Sequence, residues 1–310
     1  MLETEELRKV FKGKTAVDGV NLYMDKGESI GLLGPNGAGK STTISMISSL
    51  VKPTSGDVRL HEKSVIKEPS RIRRVLGVVP QEIALYEELT AYENLKFFGR
   101  IYGLKSKSLE KKIEEVLYLV GLEERKDDII KTYSGGMQRR INIAAAMLHD
   151  PEILIMDEPT VGIDPQSRSH ILDMVRDLNQ KKGMTVLYTS HYMEEVERLC
   201  DRVYIMDHGR VIASGTKDEL KSILSGEETI LIDFDRQYKA LFLELQSHHS
   251  ILQAIETDKG IKLIVPKGSN LLSTIFQIAE KHQAKILNVN VQVPTLEDVF
   301  LHLTGRKLRD

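Results

Sequence analysis

One stretch limits the architecture of this chain more than any other: Gly34-Pro35-Asn36-Gly37-Ala38-Gly39-Lys40-Ser41-Thr42, set between the apolar run Ser29–Leu33 and the helix-like segment 43–47. It reads as strand, glycine loop, helix. Glycines let the backbone fold so that several N–H groups face one concavity, and the helix start adds the positive end of its dipole. Such a loop holds phosphates. Lys40 supplies a point charge for the outer phosphates, and the Ser41 hydroxyl is placed to ligate Mg²⁺ carried in with a nucleotide. An ordinary tight turn has no need of the full G-x-x-x-x-G-K-S spacing.

The second signal is a pair of acids. Ile153-Leu154-Ile155-Met156 is a continuous apolar run, the pattern of a strand buried on both faces, and it delivers Asp157 and Glu158 at its C-terminal edge. Ligands of open α/β sheets bind at that edge. Asp157 is placed there to hold Mg²⁺, and Glu158 to accept a proton from an attacking water; a plain surface pair of acids is the alternative. A further buried strand, 184–188, ends in Thr189-Ser190-His191.

Between the loop and the acids the pattern turns helical. Thr90 with Glu93 forms a capping box, and Leu109, Ile113, Val116, Leu117 and Val120 share one face of a second helix. Tyr133-Ser134-Gly135-Gly136-Met137-Gln138 opens a third helix, and Asp164 with Pro165 opens a fourth. Residues from about 85 to 150 therefore form a helical insert in an α/β unit. Short alternating strands precede the phosphate loop, and Phe11 lies in the first; by itself it reads as a core residue, although an exposed aromatic there would stack on a base. A hairpin over 203–213 and a helix from Thr216 complete a first domain, 1–224. Residues 225–310 form a second, in the order βαββαβ with a capped terminal helix from Thr295, which predicts a small ferredoxin-like α+β sandwich.

Composition narrows the partners. Lys and Arg total 43 against 45 Asp and Glu, so no nucleic acid is expected as a partner. The one cysteine, Cys200, can form no internal disulfide and excludes a multi-cysteine zinc site; it reads as a small buried hydrophobe. The acidic start, Met1-Leu2-Glu3-Thr4-Glu5-Glu6, predicts no secretion signal. No run approaches the roughly 20 apolar residues that cross a bilayer, so any membrane step falls to another chain.

Taken together, these motifs resemble the ATP-binding subunits of ABC transporters over about residues 1 to 220. Residues 34–42 look like the Walker A loop, 153–157 like Walker B, and Glu158 like the catalytic glutamate. Gln81 matches the Q-loop, Ser134-Gly135-Gly136-Met137-Gln138 the signature, Val161-Gly162-Ile163-Asp164 the D-loop and His191 the switch histidine. Phe11 falls where the family keeps an aromatic against adenine. Tyr133 replaces the family's usual leucine before the signature serine. The end of the chain, Pro294-Thr295-Leu296-Glu297-Asp298-Val299-Phe300 with Leu303-Thr304-Gly305, looks like the tail of ABC-2-type, drug-resistance-like exporters.

The resemblance implies a P-loop NTPase of the ABC ATPase fold with N-terminal antiparallel strands and the helical insert, binding ATP and Mg²⁺. It implies nucleotide contacts from Phe11, Gly34, Pro35, Asn36, Gly37, Ala38, Gly39, Lys40, Ser41, Thr42, Ser134, Gly135, Gly136 and Asp164. Metal contacts fall to Ser41, Gln81 and Asp157, and catalysis to Glu158, His191, Gln81 and Lys40. His191 by its position alone also reads as a neutral core histidine. The resemblance further implies a second ATP-binding subunit closing head to tail, and a separate transmembrane permease that holds the protein at the cytoplasmic face. Nucleotide binding would then drive dimer closure and hydrolysis permit reopening, a cycle the permease converts into substrate movement, with export favoured by the tail. Two rival functions are a soluble ABC-type assembly factor and a regulatory module whose C-terminal domain senses a ligand.

Overall fold

The computed structural model describes residues 1–224, 226–292 and 295–305. Its chain forms two compact units, Met1–Thr216 and a second that begins at Lys217.

The first unit contains two sheets. Lys14–Val20, Leu2–Phe11, Ser55–Leu60 and Lys63–Ser64 pair antiparallel in that order, with Tyr23–Met24 added to Leu2–Phe11. The other sheet runs Arg210–Thr216, Arg202–Asp207, Ser29–Leu33, Thr185–Thr189, Ile153–Met156, Leu76–Val79. Its last five strands are parallel, and only Arg210–Thr216 is antiparallel. Ser29–Leu33, Ile153–Met156 and Thr185–Thr189 are buried at every position, as strands covered on both faces must be. Because these strands run the same way, the phosphate loop, Asp157-Glu158 and Ser190-His191 all leave the sheet at one edge. Leu2, Leu7, Val17, Ile30, Ile47, Val58, Ile72 and Ile155 belong to the core that joins this sheet to the N-terminal strands.

The insert consists of helices Ala91–Ile101, Ser106–Val120 and Gly135–Ala146, packed on one another. Thr90 and Glu93 make the expected capping box, and the five expected residues of Ser106–Val120 are all buried. Tyr133 is also buried, and its hydroxyl donates to the Arg125 carbonyl, so the larger side chain is accommodated beneath the start of Gly135–Ala146.

In the second unit the strands Glu227–Phe234, Gln253–Thr257, Gly260–Pro266 and Ile286–Gln292 alternate with helices Lys239–Gln246 and Leu272–Lys281 in the order βαββαβ. The sheet is antiparallel, with the second strand outermost, then the third, first and fourth. Ile230, Ile232 and Phe234 point with Leu241, Leu245, Leu263 and Ile275 into its core. Thr295 and Asp298 cap the terminal helix Leu296–Thr304; Pro294 of the expected tail lies outside the described residues. Helix Lys217–Ser222 was expected to finish the first domain. It belongs to the second unit instead, because it packs against Leu296–Thr304 with Leu220 buried.

Candidate active site

The phosphate loop is built by backbone geometry before any side chain acts. Gly39, at φ +102°, occupies the left-handed region, and a Cβ there would stand 2.7 Å from the Ala16 carbonyl. The turn therefore needs glycine twice over. Helix Lys40–Ile47 starts directly after it, with the Thr43 N–H and hydroxyl both donating to the Gly39 carbonyl.

Lys40 is buried, and its Nζ donates to the carbonyls of Gly34 at 2.7 Å and Pro35 at 3.3 Å. The same Nζ lies 3.6 Å from Glu158 Oε1. Burial holds the Lys40 ammonium below the usual lysine range, while the charges of Glu158 and Asp157 oppose that shift. Glu158 Oε1 is also 3.0 Å from His191 Nδ1. One buried carboxylate thus stands between the lysine of the first strand's loop and the histidine that follows the third.

One hydroxyl holds both acids. The Thr189 hydroxyl accepts from the Glu158 N–H at 2.8 Å and donates to Asp157 Oδ1 at 2.8 Å. Glu158 itself is left-handed, at φ +47°, a conformation that costs a residue with a Cβ on the order of 1–2 kcal/mol. The neighbouring strand's hydroxyl is the restraint that keeps it there.

Arg139 fixes the backbone at Pro80 and Gln81. It is buried within Gly135–Ala146, and its guanidinium donates to the carbonyls of Pro80, at 2.6 Å, and Gln81. The Gln81 residue is exposed, so its side chain is presented while its backbone is fixed. Burial pulls Arg139 below the ordinary arginine range.

The expected residues fall into two groups. Lys40, Glu158, Asp157 and His191 converge at the sheet edge. Ser134, Gly135 and Gly136 cluster elsewhere, with the D-loop of the same chain: a Cβ on Gly136 would stand 2.3 Å from Ser167 Oγ, and one on Gly135 3.7 Å from Ile163. Ser134 caps its helix through the Met137 N–H at 3.3 Å, and Asp164 caps Pro165–Lys182 through the Ser167 N–H at 2.9 Å. That cap, with the Ser167 hydroxyl, holds the Asp164 carboxyl below the usual carboxylate range. Phe11 corrects its core reading: it is 45% exposed, with Lys9 Nζ 4.9 Å from its ring centre. Register shifts between Leu7, Lys9 and Val10 move the strand's buried face and leave Phe11 outward. Cys200 is buried, as a small hydrophobe would be.

A parallel sheet with a phosphate loop and two acids at its C-terminal edge defines a P-loop nucleotide hydrolase, and the helical insert that carries Ser-Gly-Gly at a helix start narrows this to the ABC type. A family model described as ABC transporter matches residues 17–161. The linearmycin resistance ATP-binding protein LnrL of Bacillus subtilis is 50% identical over the whole of both chains. The daunorubicin/doxorubicin resistance ATP-binding protein DrrA of Streptomyces peucetius is 38% identical over all of this chain and 94% of its own. A dimeric post-hydrolysis ATP-binding cassette bound to ADP and Pi is 29% identical, with a TM-score of 0.64 over 70% of this chain and 98% of that one. The chain belongs to the ATP-binding subunits of ABC transporters, and it is an ATPase.

Proposed function

We propose that this protein powers a drug-resistance exporter by hydrolysing Mg²⁺-ATP in pockets shared between two subunits. The observation that carries the chemistry is Glu158, held 3.6 Å from Lys40 Nζ and 3.0 Å from His191 Nδ1 at the edge where the phosphate loop opens. Glu158 takes the proton of the attacking water. His191 orients that water against the γ-phosphate, and Lys40 stabilises the charge that develops there. Ser41, Gln81 and Asp157 form an all-oxygen donor set of the kind Mg²⁺ takes, and the Thr189 hydroxyl already orients Asp157. When bound with the nucleotide, the ion neutralises phosphate charge.

The shared pocket is inferred from the separation of the two groups. Ser134–Gly136 opens a helix N-terminus, a second anion site, yet it is built into its own chain's D-loop rather than beside Lys40. A second copy arranged head to tail supplies what each pocket lacks, and a cassette of the same fold is dimeric.

The export reading rests on relatives named for linearmycin and daunorubicin/doxorubicin resistance, which align over the full length of this chain. Among the described residues no helix is long and apolar enough to cross a membrane, so the spanning chain is a separate permease. Its docking face is the insert beside the Q-loop, where Tyr86, Phe97 and Phe98 form an aromatic cluster with Tyr86 and Phe97 exposed. The second unit, by its strand order, is read as ferredoxin-like.

Complementation tests the shared pocket. Lys40→Ala and Ser134→Arg chains are each expected to be inactive, and mixing them restores hydrolysis because one pocket per mixed dimer is intact. No restoration, in mixtures shown by light scattering to dimerise, overturns this reading.

A further inference from the structure

The hydrogen bonds around Glu195 are unaccounted for by any role above. Glu195 lies on the short helix Met193–Leu199, and its carboxylate is buried. Thr160 donates to both carboxylate oxygens, at 2.8 and 2.9 Å. Oε2 also accepts from Tyr188 at 2.9 Å and from Ser190 at 2.6 Å. On the other side Arg168 Nε stands 3.6 Å from Oε1. Burial, and then the Glu195 charge, push the Tyr188 hydroxyl well above the usual tyrosine range, so it stays a donor.

These donors come from separate segments of the site. Thr160 is two residues beyond Glu158. Ser190 directly precedes His191, and its hydroxyl also accepts from the Tyr192 N–H at 2.9 Å, which closes the turn that carries the histidine. Arg168 lies one turn into the D-loop helix, its N–H bonded to the Asp164 carbonyl, and its guanidinium stacks 4.1 Å from the centre of the Tyr192 ring. A carboxylate taken out of water is costly unless its lone pairs are filled, and here three hydroxyls and a cation fill them.

We infer that Glu195 is the positioning residue that clamps the Glu158 segment, the His191 turn and the D-loop helix to one point, so that the 3.0 Å pairing of Glu158 with His191 follows the D-loop. Its partners Thr160, Tyr188, Ser190 and Arg168 are all protein groups, and it acts through the segments that carry them. The inference rests on the roles given above to Glu158 and His191. It adds a route by which a movement of the D-loop, where the second subunit is proposed to close, reaches the histidine.

The test is Mg-ATP hydrolysis by the full chain, with nucleotide affinity measured separately. Glu195→Gln keeps the volume but turns one acceptor into a donor. It is expected to lower kcat about tenfold or more while nucleotide affinity stays within about twofold. Ser190→Ala, which removes the strut to the His191 turn together with the hydroxyl that accepts from the Tyr192 N–H, is expected to reproduce much of that loss. Tyr188→Phe removes an equal hydrogen bond from a strand rather than a loop and is expected to lower Tm with little effect on kcat. In His191→Ala chains, Glu195→Gln is expected to add nothing further. A wild-type kcat for Glu195→Gln, additive losses in the double variant, or equal losses for Tyr188→Phe and Ser190→Ala overturn the clamp. If His191→Ala alone hydrolyses normally, the histidine's catalytic role fails first and the clamp with it; a rate lost with His191→Ala but intact with Glu195→Gln removes the clamp alone.

Discussion

Two sheets of the same chain handle polarity in opposite ways. In the first unit the buried residues include Lys40, Arg139, Glu158 and Glu195, with Thr160, Thr189 and Ser190 around them. In the second, among the described residues, Thr229 is the one polar side chain in that class, and ionic groups such as Glu244, Lys281 and His282 meet at the surface. Burying charge opposes folding, so a chain that does so beside one sheet and avoids it beside the other marks where chemistry is done. The second unit is built as an apolar core of aliphatic and aromatic side chains, among them Leu241, Leu263, Ile275 and Phe234.

The sharpest way to break this comparison is at Glu158. Glu158→Gln is expected to reduce hydrolysis by about 10²-fold or more while ATP still binds. Phosphate release at near wild-type rate would show that the buried acid serves the fold alone. In the second unit, Leu263→Ala should cost about 2–5 kcal/mol of that unit's stability and leave ATP affinity unchanged. A calorimetric trace in which nucleotide binding falls with it would dissolve the contrast. Arg139→Leu removes the buried donor to the Q-loop carbonyls and should cost about 1.5–3 kcal/mol, read by chemical denaturation. Lys281→Ala, at an exposed pair, should cost under about 1 kcal/mol in the same assay.

The smallest expected effect is a pH dependence in the first unit. His149 stacks on Tyr102 at 3.9 Å, and its Nε2 faces the Leu76 carbonyl at 3.1 Å. Burial holds its pKa below the ordinary 6.5. Below pH 6.5 the unfolded chain takes up a proton that the folded chain refuses, so stability falls as pH drops toward the lowered value. His149→Phe should flatten that acid limb of the Tm profile, and an unchanged slope would remove His149 as its source.

Much of this was legible because it lies in short spacings. The phosphate loop, the acids after Ile153–Met156, the capping box at Thr90 and the βαββαβ order of the second unit each occupy a few neighbouring residues. What escaped are partners distant in sequence. Arg139 sits on a helix, where a charge reads as solvent-facing, and only the fold brings Pro80 and Gln81 to it. Thr189 and Glu195 were hidden for the same reason: a threonine ending a strand and a glutamate in a charged run carry no periodic mark. Phe11 reads as core by the default for an aromatic side chain, and only the fold shows it exposed.

The left-handed backbone at Glu158 narrows the chain's mutational paths. Aspartate and asparagine tolerate that conformation best, yet either would leave its terminal group one carbon short of Lys40 and His191. β-Branched residues are shut out by their own bulk, and glycine would relax the turn while deleting the carboxylate. Backbone comfort and side-chain reach thus pull toward different amino acids, and drift at this position is blocked from both directions.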